Sequence, residues 1–400
     1  MNLKELAAPV MDDVISWRHC LHAHPELSGQ EKETSAFIEK TLKSFGVDTV
    51  RRVGTNNVIA LLRGNSAGPV VGLRADCDAL PINELSGVEF SSRVPGVMHA
   101  CGHDIHTSML LGAARVLCGL RDRIHGTVKF FFQAAEETAQ GAREIAEAGE
   151  LDRIDPPACA AALHVDPKSP AGTFKVRRGV SSASSNGFEL TVTGKGGHGA
   201  HPDQCIDPIP IAAQVITSLQ QLVSREIAPD DPAVVTIGTI HGGQKSNIIA
   251  SEVVMTGTIR TLKPEVQREL FDAIPRVARL TAQALRGDAS VCIKDGTPVL
   301  INDSREFERF LAVAESVVGK DRIIYSGNSS MGSEDFAFFL EKVPGTIFNL
   351  GVGTAGTDNA PLHSAHFRAD ESAFINGVAA LTGYALAVCG QQPGTDEAEL

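Results

Sequence analysis

The chain of 400 residues is longer than one typical domain, so two lobes with separate hydrophobic cores are the first expectation. Its formal net charge of −12 at pH 7 argues against nucleic acid and anionic membrane surfaces as partners, because phosphate groups would be repelled. The hydrophobic fraction of 43% is that of a globular protein, and no apolar run approaches the roughly 18 residues of a membrane-spanning helix. Small-molecule partners are therefore favoured.

The first residues do not have the pattern of a secretory signal peptide. The stretch MNLKELAAPVMDDVISW contains acidic residues where a basic and then an apolar segment would be required, and its spacing predicts an amphipathic helix. The eight cysteines form no CxxC pair, and most of them are expected to be small buried residues in a reducing compartment. We therefore expect a cytoplasmic protein.

Hydrophobic periodicity predicts that helices and strands alternate over the first 180 residues. The predicted helices are residues 35–46, 106–120 and 141–149. The predicted strands are residues 57–63, 69–76, 127–134 and 159–165. Because these strands are almost continuously apolar, they indicate a sheet that is buried on both faces.

The pattern changes between about residue 180 and residue 296. The order there is β-α-β-β-α-β, which is the ferredoxin-like arrangement, with strands at 188–194, 233–240, 251–262 and 289–295 and helices at 207–224 and 264–286. The α/β pattern then resumes with helices at 303–318, 333–341 and 370–389 and a strand at 345–351. We therefore expect one α/β domain formed by residues 1–180 and 297–390, an inserted domain at 181–296, and a disordered tail at 391–400.

Polar residues directly after the apolar strands are the candidates for a functional site, because ligands in open α/β sheets bind beyond the carboxyl ends of the strands. Four strand exits provide such residues. The polar residues at these four exits are Asp76, Asp78, Glu136, Glu137, His164, Asp166, His363 and His366. Each one alone has an ordinary explanation, as a helix N-cap or as a solvated loop histidine, and only their convergence at one sheet edge favours a site.

The stretch MHACGHDIHTSML, residues 98–110, adds a cysteine, three histidines and an aspartate. Thiolate, imidazole and carboxylate groups together are the ligands of a borderline-soft cation such as zinc. The adjacent Glu136 and Glu137 suit two different tasks, since one can bind metal while the other accepts the proton of a water. Two rival motifs, GNSAG at 64–68 and GKGGHG at 194–199, do not open a helix and are interpreted as chance matches.

Several stretches in order resemble the M20 metallopeptidase family, and specifically its amidohydrolase branch of hippurate hydrolases, N-acyl-amino-acid amidohydrolases and plant indole-acetyl-amino-acid hydrolases. They include GLRADCDALPI, MHACGHDIHT, FFFQAAEE, GKGGHGAHPD, GGQKSNIIA, SEDFAFF and LHSAHFRADESAF. The resemblance implies a phosphorylase/hydrolase-like catalytic α/β domain. It also implies that the inserted ferredoxin-like domain is a lid through which a homodimer forms.

The resemblance also implies roles for individual residues. Two divalent metal ions would be bound by Cys101, His103, Glu137, His164 and His363. Zinc is the expected metal because of the thiolate, with manganese, cobalt and nickel as alternatives. Glu136 would be the general base, and His198 would polarise the scissile carbonyl in the partner subunit's site, although the nearby His201 is a second candidate. Asn247 and Arg260 would bind the substrate, and Asp104 is expected to orient a ligand imidazole.

The activity that the resemblance implies is hydrolysis of the amide bond in N-acyl amino acids, with hippurate-like or N-acetyl substrates. The products would be a carboxylic acid and a free amino acid. Two alternatives remain open: a metallo-dipeptidase or aminopeptidase on the same scaffold, and a catalytically silent protein that binds acyl-amino acids.

This chain departs from the family pattern at two places. At the first alanine of QAAEE the family commonly has proline, and in SSASSNGF the family usually has an aspartate near Asn186.

Overall fold

Two compact units make up the protein, which is described by a computed structural model over residues 2–390. The larger unit comprises residues 2–179, 301–328 and 335–390, and the smaller unit comprises residues 180–300 and 329–334. Residues 297–300 and 329–334 thus group with the smaller unit, whereas the sequence pattern places them in the larger domain. The predicted disordered tail, 391–400, lies outside the described residues.

The regular elements follow the predicted order. The helices are α1 (Leu3–Ala7), α2 (Met11–Ala23), α3 (Lys32–Phe45), α4 (His103–Gly119), α5 (Gly141–Glu147), α6 (Pro208–Gln221), α7 (Pro264–Ala284), α8 (Ser304–Val318), α9 (Ala337–Leu340) and α10 (Phe374–Cys389). The strands are β1 (Thr49–Val53), β2 (Asn57–Arg63), β3 (Ser66–Asp76), β4 (His125–Gln133), β5 (Cys159–Pro170), β6 (Phe174–Val176), β7 (Gly179–Ser182), β8 (Asn186–Thr193), β9 (Gly197–His198), β10 (Ala233–Gly242), β11 (Ile248–Ile249), β12 (Glu252–Thr261), β13 (Asp288–Ile293), β14 (Leu300–Asn302), β15 (Ile323–Tyr325) and β16 (Gly345–Gly353).

An eight-stranded mixed sheet forms the centre of the larger unit, in the order β1-β2-β4-β3-β5-β16-β6-β15. Its four middle strands, from β4 to β16, are parallel to one another, while β1 and β2 run antiparallel at one side. Every residue of β2 except Arg63 is buried, and Phe130, Phe131 and Phe132 of β4 have no exposed surface. The predicted α/β class with a sheet buried on both faces is therefore confirmed.

Helix α10 is a long and strongly apolar helix of the larger unit. By length and composition the segment Glu371–Cys389 could cross a membrane. However, 78% of its apolar window is buried inside the protein, where it packs on α4, α8 and β3. Such burial is typical of the core helix of a soluble protein.

The smaller unit has the predicted ferredoxin-like arrangement. Its antiparallel sheet has the order β10-β12-β8-β13, and helices α6 and α7 pack against each other and on this sheet. Strand β8 shows the alternation expected for a sheet with one covered face, since Phe188, Leu190 and Val192 are buried. Strands β10 and β13 are the two edges of this sheet, and among the described residues no further strand pairs with either of them.

The prediction of a helix over residues 333–341 is wrong in its extent. Only Ala337–Leu340 is helical, and the preceding residues form bends and turns. Long-range contacts accompany the irregular backbone, because the Asp335 N–H donates to Glu136 and the Asp335 side chain binds Arg74 and Gln133. The sequence pattern shows the apolar spacing of FAFFL but not these long-range contacts.

Candidate metal centre

The parallel strands bring the predicted site residues to one edge of the large sheet. Strand β3 ends at Asp76, and its parallel neighbours are β4 and β5. Glu136 and Glu137 follow the end of β4, and His164 lies within β5. Because carboxyl ends of parallel strands meet at one edge, residues distant in sequence converge there.

Six of the predicted residues meet in three overlapping groups of metal-binding side chains. The groups are Cys101 with His103 and His164, Cys101 with Glu137 and His363, and His103 with Glu136 and Glu137. Within each group all the potential ligand atoms lie within 4.8 Å of one another. The Cys101 thiol belongs to two of the groups, with its Sγ 3.3 Å from His363 Nε2 and 3.6 Å from His164 Nε2. A thiolate in this position can contact two cations.

The turn after β4 aims the two glutamates. Ala135 has a left-handed backbone with φ 52°, which costs a non-glycine residue of order 1–3 kcal/mol. The conformation is held by the Ala135 N–H, which donates to Glu31 Oε1 at 2.8 Å, and by the Ala134 N–H, which donates to the side chain of Asn57. The structure therefore maintains a strained turn directly before Glu136 and Glu137, as is common at functional sites.

The ring of His103 is oriented by Asp78. Its Nδ1 donates to the Asp78 carbonyl oxygen at 3.0 Å and to the Asp78 carboxylate at 3.1 Å. The other nitrogen, Nε2, is buried and has no hydrogen-bond partner. A buried polar atom without a partner is costly, and this one has the lone pair that a cation would bind. Asp78 also accepts a hydrogen bond from the Glu137 N–H at 3.1 Å, so it organises two of the predicted ligands.

The other two histidines are fixed in a similar way. His164 Nδ1 donates to the Val165 carbonyl at 2.8 Å, so that Nε2 faces Cys101. His363 has a left-handed φ of 62°, and its N–H donates to the Ala100 carbonyl at 2.9 Å. Its Nε2 lies 3.3 Å from Glu137 Oε1. Backbone contacts thus hold both imidazoles toward the thiol and the carboxylate.

The environment of Cys101 does not activate it as a nucleophile. Burial raises the pKa of the Cys101 thiol well above its usual range, and the nearby His103 only partly opposes this effect. A catalytic cysteine requires a depressed pKa, so that the thiolate is present before substrate binds. A thiolate at this position instead requires a bound cation.

The prediction that Asp104 orients a ligand imidazole is wrong. Asp104 faces away from the ligand groups, and its carboxylate accepts hydrogen bonds from Arg18 Nε at 2.9 Å and His22 Nδ1 at 2.8 Å. The carboxylate that orients a proposed ligand imidazole is that of Asp78, whereas Asp76 binds His106, which is outside the proposed ligand set. Asp78 binds His103, and Asp76 accepts from His106 Nδ1 at 2.5 Å. Both aspartates are strand-exit residues, but sequence spacing alone does not pair them with particular histidines.

Glu84 anchors the segment after β3 to helix α2. Burial opposes ionisation of Glu84, but hydrogen bonds from His22, Ser86 and the Ser92 N–H outweigh it and lower the pKa of Glu84 to about 2. Because the pKa of Glu84 is lower in the folded protein than its unfolded value near 4.5, its ionised carboxylate stabilises the fold at any pH above 4.5. That contribution is lost as the pH falls from 4.5 toward 2.

We therefore expect Glu84→Gln to lower the free energy of unfolding at pH 7 by about 2 kcal/mol and to flatten its decline between pH 4.5 and pH 2. Urea unfolding over this pH range measures both effects. The matched control is Glu89→Gln, an exposed glutamate in the same segment, which should follow the wild-type curve. Equal pH profiles for Glu84→Gln and wild type would contradict the assignment.

The predicted substrate-binding residues lie in the smaller unit. His198 on β9 pairs with Ile248 on β11, and the Gly199 N–H donates to the Asn247 carbonyl at 2.9 Å, so His198 and Asn247 are neighbours. His198 is exposed, and its Nδ1 accepts a hydrogen bond from the Ala200 N–H at 3.1 Å. The His201 ring lies 5.6 Å from the His198 ring.

Arg260 is separated from this pair by the length of β12. Strand β12 begins at Glu252, close to β11, and Arg260 is its next-to-last residue. At the usual rise per residue, Glu252 and Arg260 are about 26 Å apart. Arg260 therefore lies at the opposite end of β12 from the strand end that follows β11.

Comparison with known proteins identifies the family. The model of Peptidase family M20/M25/M40 matches residues 72–387. The chain belongs to this family. Among its relatives, an N-acyl-L-amino acid amidohydrolase of Geobacillus stearothermophilus is 43% identical over 71% of this chain and 76% of the relative. An N-acetyl-L-cysteine deacetylase of Bacillus subtilis is 38% identical over 94% of this chain and 89% of the relative.

A solved M20 structure is similar over almost the whole chain. The Bacillus subtilis YXEP protein, described as a dinuclear metal binding peptidase, is 34% identical and has a TM-score of 0.81, covering 96% of this chain and 99% of its own. The residues of the present site fit such a centre, because three ligand groups overlap, two of them through the Cys101 thiol, and His103 Nε2 is buried without a hydrogen-bond partner. The predicted α/β fold and M20 membership are thus confirmed.

Proposed function

We propose that this M20 enzyme hydrolyses the amide bond of N-acyl amino acids and releases a carboxylic acid and a free amino acid. The observation that supports this most strongly is the convergence of a thiol, three imidazoles and a carboxylate around one sheet edge, with a second glutamate beside them. The two relatives described as an amidohydrolase and a deacetylase act on substrates of this class by their names. Hippurate-like and N-acetyl amino acids are the proposed substrates.

The proposed ligands of two divalent cations are Cys101, His103, Glu137, His164 and His363. Zinc is the proposed metal, because a thiolate with imidazoles is its preferred ligand set, and manganese, cobalt and nickel are alternatives. When bound, the cations would supply Lewis acidity that lowers the pKa of a water and polarises an acyl carbonyl. Nδ1 of His103 and of His164 is already engaged in a hydrogen bond, which leaves Nε2 as the ligand atom of each ring.

Glu136 is the proposed general base. It lies in the same group as His103 and Glu137, and the turn at Ala135 directs it to the ligand cluster. In this role its carboxylate accepts the proton of the attacking water and then transfers that proton to the amine as the amide bond breaks. Without a second proton transfer the amine would leave as an unstable anion, so the same carboxylate performs both steps.

The lid residues are proposed to act across a homodimer. His198 polarises the scissile carbonyl in the partner subunit's site, Asn247 assists in binding, and Arg260 binds the amino acid carboxylate through two parallel hydrogen bonds. The position of Arg260 at the far end of β12 from the β11 segment that pairs with His198 supports this division. The unpaired edge of β10, where Ile240 is 51% exposed, is the proposed dimer contact.

A mixing experiment tests this sharing. The His198→Ala and Arg260→Ala variants should each be nearly inactive as homodimers, while dissociation and reassociation of an equal mixture should restore about a quarter of the wild-type activity. The recovery arises because half of the dimers are mixed and one of their two sites has both residues. Steady-state kinetics after mixing measures it, and no recovery would contradict sharing. His201→Ala is the matched control and should remain active.

A panel of substrates tests the proposed reaction against peptidase activity, which the description of the YXEP protein favours as the second candidate. We expect free amino acid to be released from N-acetyl-L-methionine, N-acetyl-L-cysteine or hippurate, and not from unblocked dipeptides. Faster cleavage of the dipeptides would support the peptidase.

A cytoplasmic location is also proposed, because the eight cysteines form no disulfide and a thiolate ligand must stay reduced.

A further inference from the structure

A buried network of polar side chains connects the large sheet to Asp335. The Asp335 carboxylate accepts hydrogen bonds from Arg74 Nη2 at 2.8 Å and from Gln133 Nε2 at 2.7 Å. Arg74 in turn donates to Gln133 Oε1 and to Asp76, each at 2.9 Å. All four side chains are at least 98% buried. Since such groups are costly to desolvate, the network fixes their positions closely.

The backbone of Asp335 contacts the proposed general base. Its N–H donates to Glu136 Oε1 at 3.4 Å. This is a long hydrogen bond, and contacts of catalytic groups commonly shorten once substrate is bound. The N–H cannot leave this position freely, because the side chain of the same residue is held by Arg74 and Gln133.

We propose that Asp335 is a positioning residue for Glu136, an inference that rests on the proposed function. Arg74 and Gln133 hold the Asp335 carboxylate, and this fixes the Asp335 N–H beside Glu136 Oε1. The N–H stabilises the Oε1 oxygen of the Glu136 carboxylate, and Glu136 also lies in one group with His103 and Glu137 of the ligand cluster. Misplacement of a reacting group by about 1 Å can lower turnover about 100-fold, so the network has a direct effect on rate.

The charges of the network support a role beyond stability. Arg74 already has an anionic partner in Asp76, so a second carboxylate is not needed to neutralise the guanidinium. Gln133 uses its amide to bind both oxygens of Asp335, each at 2.7 Å, which fixes the carboxylate plane. A group that is held by two donors from adjacent strands is oriented and not merely neutralised.

The test compares Asp335→Asn with a matched control, Glu150→Gln. Glu150 is also a buried carboxylate of the larger unit, and it binds the buried Lys129 at 2.8 Å without contact to the ligand groups. Both variants should unfold at lower temperature and bind as much zinc as wild type by elemental analysis. With hippurate or N-acetyl-L-methionine as the probe, Asp335→Asn should lower kcat about 30- to 100-fold with KM nearly unchanged, whereas Glu150→Gln should keep kcat.

A double variant separates positioning from a general structural effect. If Asp335 acts through Glu136, Asp335→Asn should not slow Glu136→Gln any further, because the group that it positions is already disabled. A full additional decrease would overturn the inference, as would a normal kcat in Asp335→Asn. If Asp335→Asn does not fold, Gln133→Met, which keeps the volume, should lower kcat about 5- to 20-fold, and an unchanged kcat would overturn the inference.

The same measurements distinguish the inference from the proposed function. Normal kcat in Asp335→Asn together with an inactive Glu136→Gln would overturn the inference alone. Full activity of Glu136→Gln would overturn both, because a residue cannot act through a base that the reaction does not need. Loss of zinc from Asp335→Asn would also overturn the inference, since the defect would then lie in metal binding.

Discussion

Glu136→Gln is expected to bind zinc as wild type does and to lose turnover by about 10²- to 10⁴-fold, the usual contribution of a general base. Gln has the shape of Glu and can accept the Asp335 N–H, but its amide cannot take a proton from water at neutral pH. The loss should therefore appear in kcat, with little change in KM. Single-turnover kinetics and elemental analysis of the same sample measure both quantities.

The adjacent residue provides the matched comparison. Glu137→Gln is the same substitution one position along the chain, but Glu137 lies with Cys101 and His363 and is a proposed ligand. It should lower the zinc content as well as the rate. If both variants kept zinc and lost the same activity, the division of tasks between the two glutamates would be wrong.

Cys101→Ala should lower zinc affinity by at least about 100-fold, more than the 10- to 100-fold loss typical when a partner of a ligand is removed. The reason is that the Cys101 sulfur belongs to two of the three ligand groups, so its removal weakens the binding of both cations. Activity should fall with metal content and recover in part at high zinc concentration. Competition with a zinc chelator measures the affinity.

A second cysteine controls for loss of a buried thiol. Cys389 is fully buried at the end of α10, and its Sγ donates to backbone oxygens of Pro69 and Thr127. Cys389→Ala should lower stability slightly and leave zinc affinity unchanged. An unchanged zinc affinity in Cys101→Ala would refute the ligand role. An inactive Cys101→Ala that still binds two zinc ions would instead revive the cysteine as a nucleophile.

Periodicity and strand exits predicted much of the fold because they depend on local pattern. The buried strand β2 matches its predicted range of 57–63, and the C-cap glycine Gly46 has the left-handed φ of 79° expected at a helix end. The short strands β6 and β15 at one side of the large sheet were not predicted, since three residues contain too little pattern. The helix predicted at 333–341 is shorter in the structure, and the apolar spacing of FAFFL contains no signal for the long-range contacts of Asp335.

In the site, too, the residues that local sequence pattern indicates were predicted, and the contacts between residues distant in sequence were not. Residue types and strand exits indicated Cys101, Glu136 and Glu137, and the structure brings them together with the predicted histidines. Which carboxylate supports which imidazole could not be predicted, because the first turn of α4 turns Asp104 toward Arg18 and leaves His103 to Asp78. Such pairing depends on the rotation of one helix relative to a strand end.

The most direct test of the central claim is a zinc titration of metal-free protein with hippurate and N-acetyl-L-methionine as substrates. We predict no release of free amino acid from the metal-free protein and a rise in rate that reaches a plateau at two zinc ions for each chain. Hydrolysis that is as fast without metal, or no hydrolysis of any N-acyl amino acid by the fully loaded protein, would contradict the assignment of this site as a metal-dependent amidohydrolase centre.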